Sequence, residues 1–162
     1  MPVYILGDFK VLPGNTGFEI ANGSLNGLGS WKDKGYIFYS GNVSYAQKFT
    51  VNKGESTFMV RLNGWEGTRA EVLVNNEKAG IIAWSPEELD ITDYLKEGEN
   101  KITVRIAGSL KNTFGPFYQE EKSWIYGPHG WNDAPKHQPS YDQYFLPDYG
   151  LMEAFDLIKT AE

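Results

Sequence analysis

The chain consists mainly of short segments in which apolar and polar residues alternate, separated by turn residues. This alternation is typical of half-buried β-strands, because successive side chains point to opposite faces of a sheet. The most regular case is residues 101–107, where Ile102, Val104 and Ile106 share one face. Together the segments predict strands at residues 4–6, 9–12, 18–21, 43–51, 57–62, 70–76, 78–82, 101–107 and 149–160.

Turn residues divide these segments. Residues 70–82 predict a hairpin that turns at residues 75–77, because asparagine tolerates the positive φ that tight hairpins require. One helical turn is expected at residues 91–95, capped by Asp90 or Thr92 and ended by Gly98. Eight or nine strands with almost no helix predict an all-β fold, a two-sheet antiparallel β-sandwich.

Residues 109–148 break the pattern. They are aromatic, rich in proline and glycine, and almost without periodicity. About forty residues without regular structure are uncommon inside a compact domain and usually functional. The sequence therefore predicts a single domain over residues 1–162, with a long loop insertion at 109–148 and a closing strand at 149–160.

The composition excludes several classes of function. The 162 residues carry a net charge of −6, which argues against binding to a nucleic-acid backbone. The chain has no cysteine, so disulfides and thiolate metal sites are excluded. No apolar run approaches the roughly 18 residues of a membrane span, and the first residues lack the features of a signal peptide.

The high aromatic content, 15% of the residues with five tryptophans, is the first indication of function. Sugar rings have faces of C–H groups and rims of hydroxyls, so an exposed aromatic ring binds the face while polar side chains bind the rim. Loop residues are the natural candidates for both roles. The aromatic candidates are Trp31, Tyr36, Trp65, Trp124 and Trp131, and the polar candidates are Arg69, Asn112 and His129.

Each candidate also has a purely structural interpretation. A loop tryptophan plugs the end of a core as often as it binds a ligand, and Trp84, directly after the hairpin, is expected to pack. Arg69 would then be an ordinary surface or salt-bridged arginine. Asn112 would stabilise a turn, and His129 would be solvated.

The middle of the chain resembles a known family. Val72, Val74, Asn75 and Gly80, followed by Asp90, Ile91, Thr92, Leu95, Gly98 and Asn100, are similar to the sugar-binding jelly-roll domain of glycoside hydrolase family two. The segment SLKNTFGPF at residues 109–117 resembles galactose-binding-like domains at the C-terminus of large bacterial glycosidases. The resemblance implies a jelly-roll accessory domain without catalytic residues, attached in cis to a secreted, periplasmic or cell-surface bacterial enzyme.

These observations favour a carbohydrate-binding module whose ligand is a polysaccharide or oligosaccharide. Two alternatives stay open, namely a purely structural accessory domain and a small glycosidase. Glu66, Glu120, Glu121 and Asp133 lie near aromatic residues, but a chain with 21 acidic residues offers such pairs by chance. No cofactor is required by any motif, although Asp8 and Glu153 are candidate ligands of a structural calcium ion.

Overall fold

The computed structural model describes residues 3, 5–15, 17–114, 144 and 146–160. The described strands are β1 (Lys10–Gly14), β2 (Gly17–Ala21), β3 (Asn42–Val51), β4 (Thr57–Arg61), β5 (Trp65–Glu66), β6 (Arg69–Val74), β7 (Glu77–Ile82), β8 (Glu88–Asp90), β9 (Gly98–Ala107), β10 (Gly150–Leu151) and β11 (Asp156–Thr160). Two 3-10 turns (Lys32–Lys34 and Thr92–Tyr94) and one short helix, α1 (Lys111–Phe114), complete them. Every described strand pair is antiparallel, and the predicted all-β fold is confirmed.

The chain divides into two compact units. The first unit contains the described residues up to Leu25, from Trp31 to Ser40, and from Ser109 to Asp148. The second unit contains residues 26–30, 41–108 and the described residues from Tyr149 onward. Most of the predicted strands therefore lie in the second unit, and most of the predicted loop insertion lies outside the described residues.

A four-stranded sheet in the order β3-β9-β6-β7 forms the main layer of the second unit. Strand β9 lies between β3 and β6, and its Val104 pairs with Tyr45 on one side and Val72 on the other. The inward side chains are buried, including Ile102 and Ile106, which are fully buried. The alternation at residues 101–107 predicted this face correctly, since burial of one face stabilises the strand and fixes its register.

The second layer is the three-stranded sheet β11-β4-β8. Its strand β4 buries Phe58 and Val60. The two layers touch at the position of Gly80 in β7, where an added Cβ would lie 2.9 Å from the side chain of Leu89 in β8. This close approach favours glycine, because a larger residue would have to displace the Leu89 side chain.

The closing strand differs from its prediction. Residues 149–160 do not form one strand: β10 pairs with β5, and β11 pairs with β4. Between them the chain buries Phe155, whose ring centroid lies 6.0 Å from that of Phe49 in β3. The alternation continues across the break, so it could not reveal that the two halves pair with different strands.

The first unit begins with the hairpin β1-β2, in which Gly14 pairs with Gly17. The strand predicted at residues 4–6 is wrong for the two described positions. Ile5 and Leu6 are in no strand and are 69% and 89% exposed. An apolar pair forms a strand only where a neighbouring strand supplies hydrogen bonds and a buried face.

The helical turn was predicted at nearly the right place. Asp90 Oδ1 accepts hydrogen bonds from Thr92 N–H at 2.9 Å and from the Thr92 hydroxyl at 2.7 Å, although Ile91 occupies the N-cap position. The hydroxyl bond and then the backbone bond lower the pKa of Asp90. Gly98 does not end this turn. It has a φ of +87° and begins β9 instead.

No helix among the described residues is long and apolar enough to cross a membrane.

The hairpin between β6 and β7 is confirmed. Its two turn residues, Asn75 and Asn76, have φ values of +52° and +72°. Positive φ at both positions is the geometry of a type I′ turn. Asn75 is further tied down because its Oδ1 accepts the Lys101 N–H at 3.0 Å.

The second turn position gives a first prediction. Asn76 is exposed, and positive φ is sterically less favourable for asparagine than for glycine, which has no Cβ. Asn76→Gly should therefore raise the free energy of unfolding by about 0.5–1 kcal/mol, and Asn76→Val should lower it by more than that amount. Urea denaturation of both variants measures the difference. A less stable Asn76→Gly variant would contradict the turn geometry.

Candidate functional site

One end of the four-stranded sheet brings two loops together. Strand β6 begins at this end and β7 finishes there, so the loops at residues 62–68 and 83–87 lie side by side. The Leu62 N–H donates to the Glu87 carbonyl at 3.0 Å and links them. Nearby, the Thr68 N–H donates to the Ala107 carbonyl at 2.8 Å at the end of β9. This end of the sheet, formed by the two loops, is called the loop end below.

Trp84 is the most exposed tryptophan among the described residues, with 81% of its surface accessible. The expectation that Trp84 packs in the core is therefore wrong. Strand β7 ends at Ile82, which is buried, and Trp84 lies two residues farther along, in the loop that follows the strand. An exposed indole of this kind loses contact with water when it stacks on an apolar ligand face.

Trp65 and Arg69 lie at the same loop end. Trp65 is half-buried in β5, where it pairs with Leu151, and its Nε1 is buried with no acceptor among the described residues. Gly67 allows the chain to pass close to β9, since an added Cβ would lie 2.7 Å from the Ile106 side chain. Arg69 is exposed, as a ligand-binding arginine must be. Of the sequence candidates, Arg69 is fully available at this end and Trp65 only in part.

Two predicted binding residues in the first unit are buried, so their assignment to a sugar site is wrong. Trp31 is 1% exposed, and its ring lies 5.5 Å from that of Tyr39 in an edge-to-face arrangement. Asn112 is 2% exposed and donates from Nδ2 to the Pro147 carbonyl at 3.0 Å. Both side chains are held by packing, and neither can reach a ligand in this conformation.

The other candidates differ in what the structure says of them. Tyr36 is half-buried, and its ring lies 6.3 Å from that of Tyr39 in the first unit. Trp124, His129 and Trp131 lie outside the described residues and stay predictions. Among the described residues, the predicted candidates that lie at the loop end are therefore Trp65 and Arg69, and Trp84 lies at the same end.

The two predicted calcium ligands, Asp8 and Glu153, do not belong to a cluster of metal-binding side chains in the described part of the chain. Asp8 and Glu153 are both exposed, and Asp8 belongs to the first unit whereas Glu153 belongs to the second. No group of three or more His, Asp or Glu side chains among the described residues could hold a metal ion. A bound calcium ion needs six to eight oxygen ligands, so these two carboxylates alone would not make a site.

A charged cluster lies on the outer face of the four-stranded sheet, the face that points away from the buried side chains. Its centre, Glu71, is two residues along β6 from Arg69. Glu71 in β6 accepts from Lys78 Nζ through Oε1 and from Arg105 through Oε2, each at 3.1 Å. The Lys78 hydrogen bond, together with the charges of Lys78, Arg105 and Arg69, lowers the pKa of Glu71 against the opposing effect of burial. Each carboxylate oxygen therefore has one cationic partner, and Glu71 holds two cations in place.

Comparison with known proteins places this arrangement in a wider context. No family model matches the chain. A β-galactosidase of Clostridium acetobutylicum is 33% identical over 122 residues, which cover 72% of this chain and 12% of the relative. A Formosa agariphila protein described as a β-glucuronidase is 33% identical over 91 residues, which cover 52% of this chain and 8% of the relative.

A solved structure agrees with these relatives. The rhamnosidase from Novosphingobium sp. PP1Y superposes with a TM-score of 0.54 at 25% identity, over 78% of this chain and 12% of that enzyme. The predicted resemblance to glycoside hydrolase domains is confirmed. This glycosidase-related domain spans only about a tenth of the length of the enzymes that it matches.

The glycosidase-related domain carries one functional candidate that the sequence missed. Trp84 follows a strand within the segment that resembles the family, and this position favoured a packing role. The signal that could have identified it is the pair Ser85-Pro86 directly afterward, because a proline after a strand marks a loop and loops lie on the surface.

Proposed function

We propose that this chain is a non-catalytic carbohydrate-binding domain of a larger glycoside hydrolase, and that a sugar ring stacks on Trp84. The observation that carries the proposal is the exposure of 81% of Trp84 at the loop end, where Arg69 is also exposed. The relationship to glycosidases supplies the context. Its catalytic domain would lie in cis, and the enzyme would be secreted or held at the cell surface or in the periplasm.

The chemistry of the loop end suits a sugar. The indole ring of Trp84 offers a flat apolar surface at little cost in side-chain entropy, and the half-buried Trp65 is a second aromatic residue at the loop end. Arg69 supplies directional donors for hydroxyl or carboxylate oxygens. Tyr36, Trp124, His129 and Trp131 are further candidate contacts, proposed on the sequence alone. No bound metal is required for this mode of binding.

Affinity electrophoresis in gels that contain single polysaccharides tests the proposal directly. The panel should include β-glucan, xylan, galactan, pectin and rhamnogalacturonan, with isothermal titration of matching oligosaccharides. We expect retarded migration in at least one gel. Normal migration in every gel, with no heat of binding, would contradict carbohydrate binding. Hydrolysis of aryl glycosides by the purified chain would contradict the non-catalytic part.

A second candidate function is a structural domain that docks on its catalytic domain. It is favoured by two exposed apolar side chains in and directly after β7, since Ile81 is 41% exposed and Trp84 is 81% exposed. Co-purification of this chain with the separately expressed remainder of the enzyme distinguishes the two functions. Docking predicts association that Trp84→Ala abolishes, together with normal migration in all the polysaccharide gels.

A further inference from the structure

The outer face of the four-stranded sheet has a charge opposite to that of the chain. Its outward strand positions carry five Lys or Arg side chains and two Glu side chains, which leaves a net charge of +3 on a chain whose net charge is −6. These residues are Lys48, Arg69, Glu71, Lys78, Glu99, Lys101 and Arg105. All of them except Glu71 are exposed or half-exposed as side chains.

The two glutamates of this face are already neutralised. Glu99 pairs with Lys48 at 3.0 Å, and both oxygens of Glu71 are occupied by Lys78 and Arg105. Three cationic side chains act on the single Glu71 carboxylate, because Arg69 also lowers its pKa. An incoming anion would therefore meet surplus positive charge, with no free carboxylate from the strand positions of this face to repel it.

The arginines keep donors that no described residue uses. Arg105 donates one N–H to Glu71 and one to the Ser44 hydroxyl, at 3.4 Å, so three of its five N–H donors remain unused by these bonds. The Arg69 guanidinium makes no hydrogen bond and no close ion pair with the side chains of the described residues, although its charge acts on Glu71. Planar guanidinium groups bind carboxylate and sulfate oxygens in pairs, which makes them the favoured side chain for such anions.

The two arginines of the outer face lie near the end of the sheet where the Trp84 loop begins. Arg69 pairs with Ala107 at the loop end, and Glu71 with its partner Arg105 lies two residues farther along the same face, about 7 Å away. Ile81, which is 41% exposed, lies opposite Glu71 on β7. Trp84 follows Ile81 by three residues, in the loop directly after β7, at the end of the sheet where Arg69 begins β6.

Resting on the proposed function, we propose that the ligand of this domain is an anionic glycan, whose carboxylate or sulfate groups bind Arg69 and Arg105 while a sugar ring stacks on Trp84. Carboxylate and sulfate share the chemistry that the guanidinium groups recognise. Glu71 serves to hold Arg105 in place rather than to contact the glycan.

Pairs of polysaccharides that differ only in charge test this proposal with the whole chain. Polygalacturonate is compared with fully methyl-esterified pectin for the carboxylate, and dextran sulfate with dextran for the sulfate. We expect the charged member of at least one pair to bind at least about tenfold more tightly than its neutral counterpart. Its affinity should fall as the NaCl concentration rises from about 0.05 to about 0.3 M, because salt screens the charges. Duplex DNA serves as a polyanion without the sugar acid.

Variants complete the test. Arg69→Ala should weaken binding to the charged glycan roughly fivefold or more, Arg69→Lys should recover part of it, and Lys96→Ala, an exposed cation at the opposite end of β9, should leave it unchanged. Equal binding to both members of each pair would overturn the anionic ligand but retain carbohydrate binding. Binding to DNA as tight as to the glycans would overturn it as well. Binding to no polysaccharide would overturn the proposed function itself.

Discussion

Replacement of Asn100 by alanine is expected to lower the free energy of unfolding of the second unit by about 3–5 kcal/mol. Asn100 is fully buried, and its side chain makes four hydrogen bonds. Nδ2 donates to the carbonyls of Lys96 at 2.7 Å and Gly98 at 3.1 Å. Oδ1 accepts from Lys96 N–H at 3.0 Å and from Asn75 Nδ2 at 2.9 Å.

The size of the effect follows from what alanine would leave behind. Four partner groups would lose their hydrogen bonds at once, and each group that stays buried costs about 1–3 kcal/mol. Part of this cost disappears because the loop at residues 95–98 can open to water. Since a domain of this size is stable by about 5–15 kcal/mol, the variant should be close to unfolding at 37 °C.

Urea denaturation of Asn100→Ala, followed by circular dichroism and tryptophan fluorescence, measures this change. Asn52→Ala is the matched control, because Asn52 is exposed and its replacement should change stability by less than about 0.5 kcal/mol. Asn100→Asp should be nearly as destabilising as alanine, since it places an oxygen against two carbonyls. A stability loss below about 1 kcal/mol for Asn100→Ala would contradict the importance of this network.

The hairpin and the central strand could be predicted from the sequence because local physics determines both. Two consecutive asparagines between alternating segments allow the positive φ values that the turn shows. In β9 the alternation of Ile102, Val104 and Ile106 leaves only one face that can be buried. The family resemblance rests on the same region, which is why it identified the fold correctly.

The exposure of the tryptophans could not be predicted in this way. Trp31 lies in a stretch rich in glycine and serine that is typical of a surface loop, yet it is 1% exposed. The chain folds back on it: Gly35 adopts a φ of +86°, and the Tyr36 N–H donates to the Trp31 carbonyl at 2.9 Å. Trp84 shows the reverse. Burial of a loop residue depends on contacts with distant segments, which local pattern does not record.

The closing strand shows a similar limit. Alternation predicts which residues share a face, but it does not say which strand is the partner. Leu151 pairs with Trp65, and after a break of four residues Asp156 pairs with Arg61 in another sheet. The candidate site was affected by the same limit, because Trp65 is partly packed by this pairing with β10.

Trp84→Ala is expected to weaken binding of the carbohydrate ligand at least about tenfold, with no change in stability beyond about 0.5 kcal/mol. Stability should be unaffected because the side chain is 81% exposed and contributes little buried area. Binding should be strongly affected because a central aromatic ring supplies much of the contact energy of a small interface. The two effects separate a binding residue from a core residue.

Isothermal titration of the variants against the polysaccharide that retards the wild-type chain measures the loss. Trp84→Phe should recover part of the affinity, because phenylalanine keeps a stacking face but has less area. Ile20→Ala is the matched control: Ile20 is an exposed apolar residue of β2, 57% accessible, in the first unit, and its loss should leave binding unchanged. If Trp84→Ala bound as tightly as the wild type, stacking on this indole would be excluded. The binding surface would then have to be sought among Tyr36, Trp124, His129 and Trp131, since burial already removes Trp31 and Asn112.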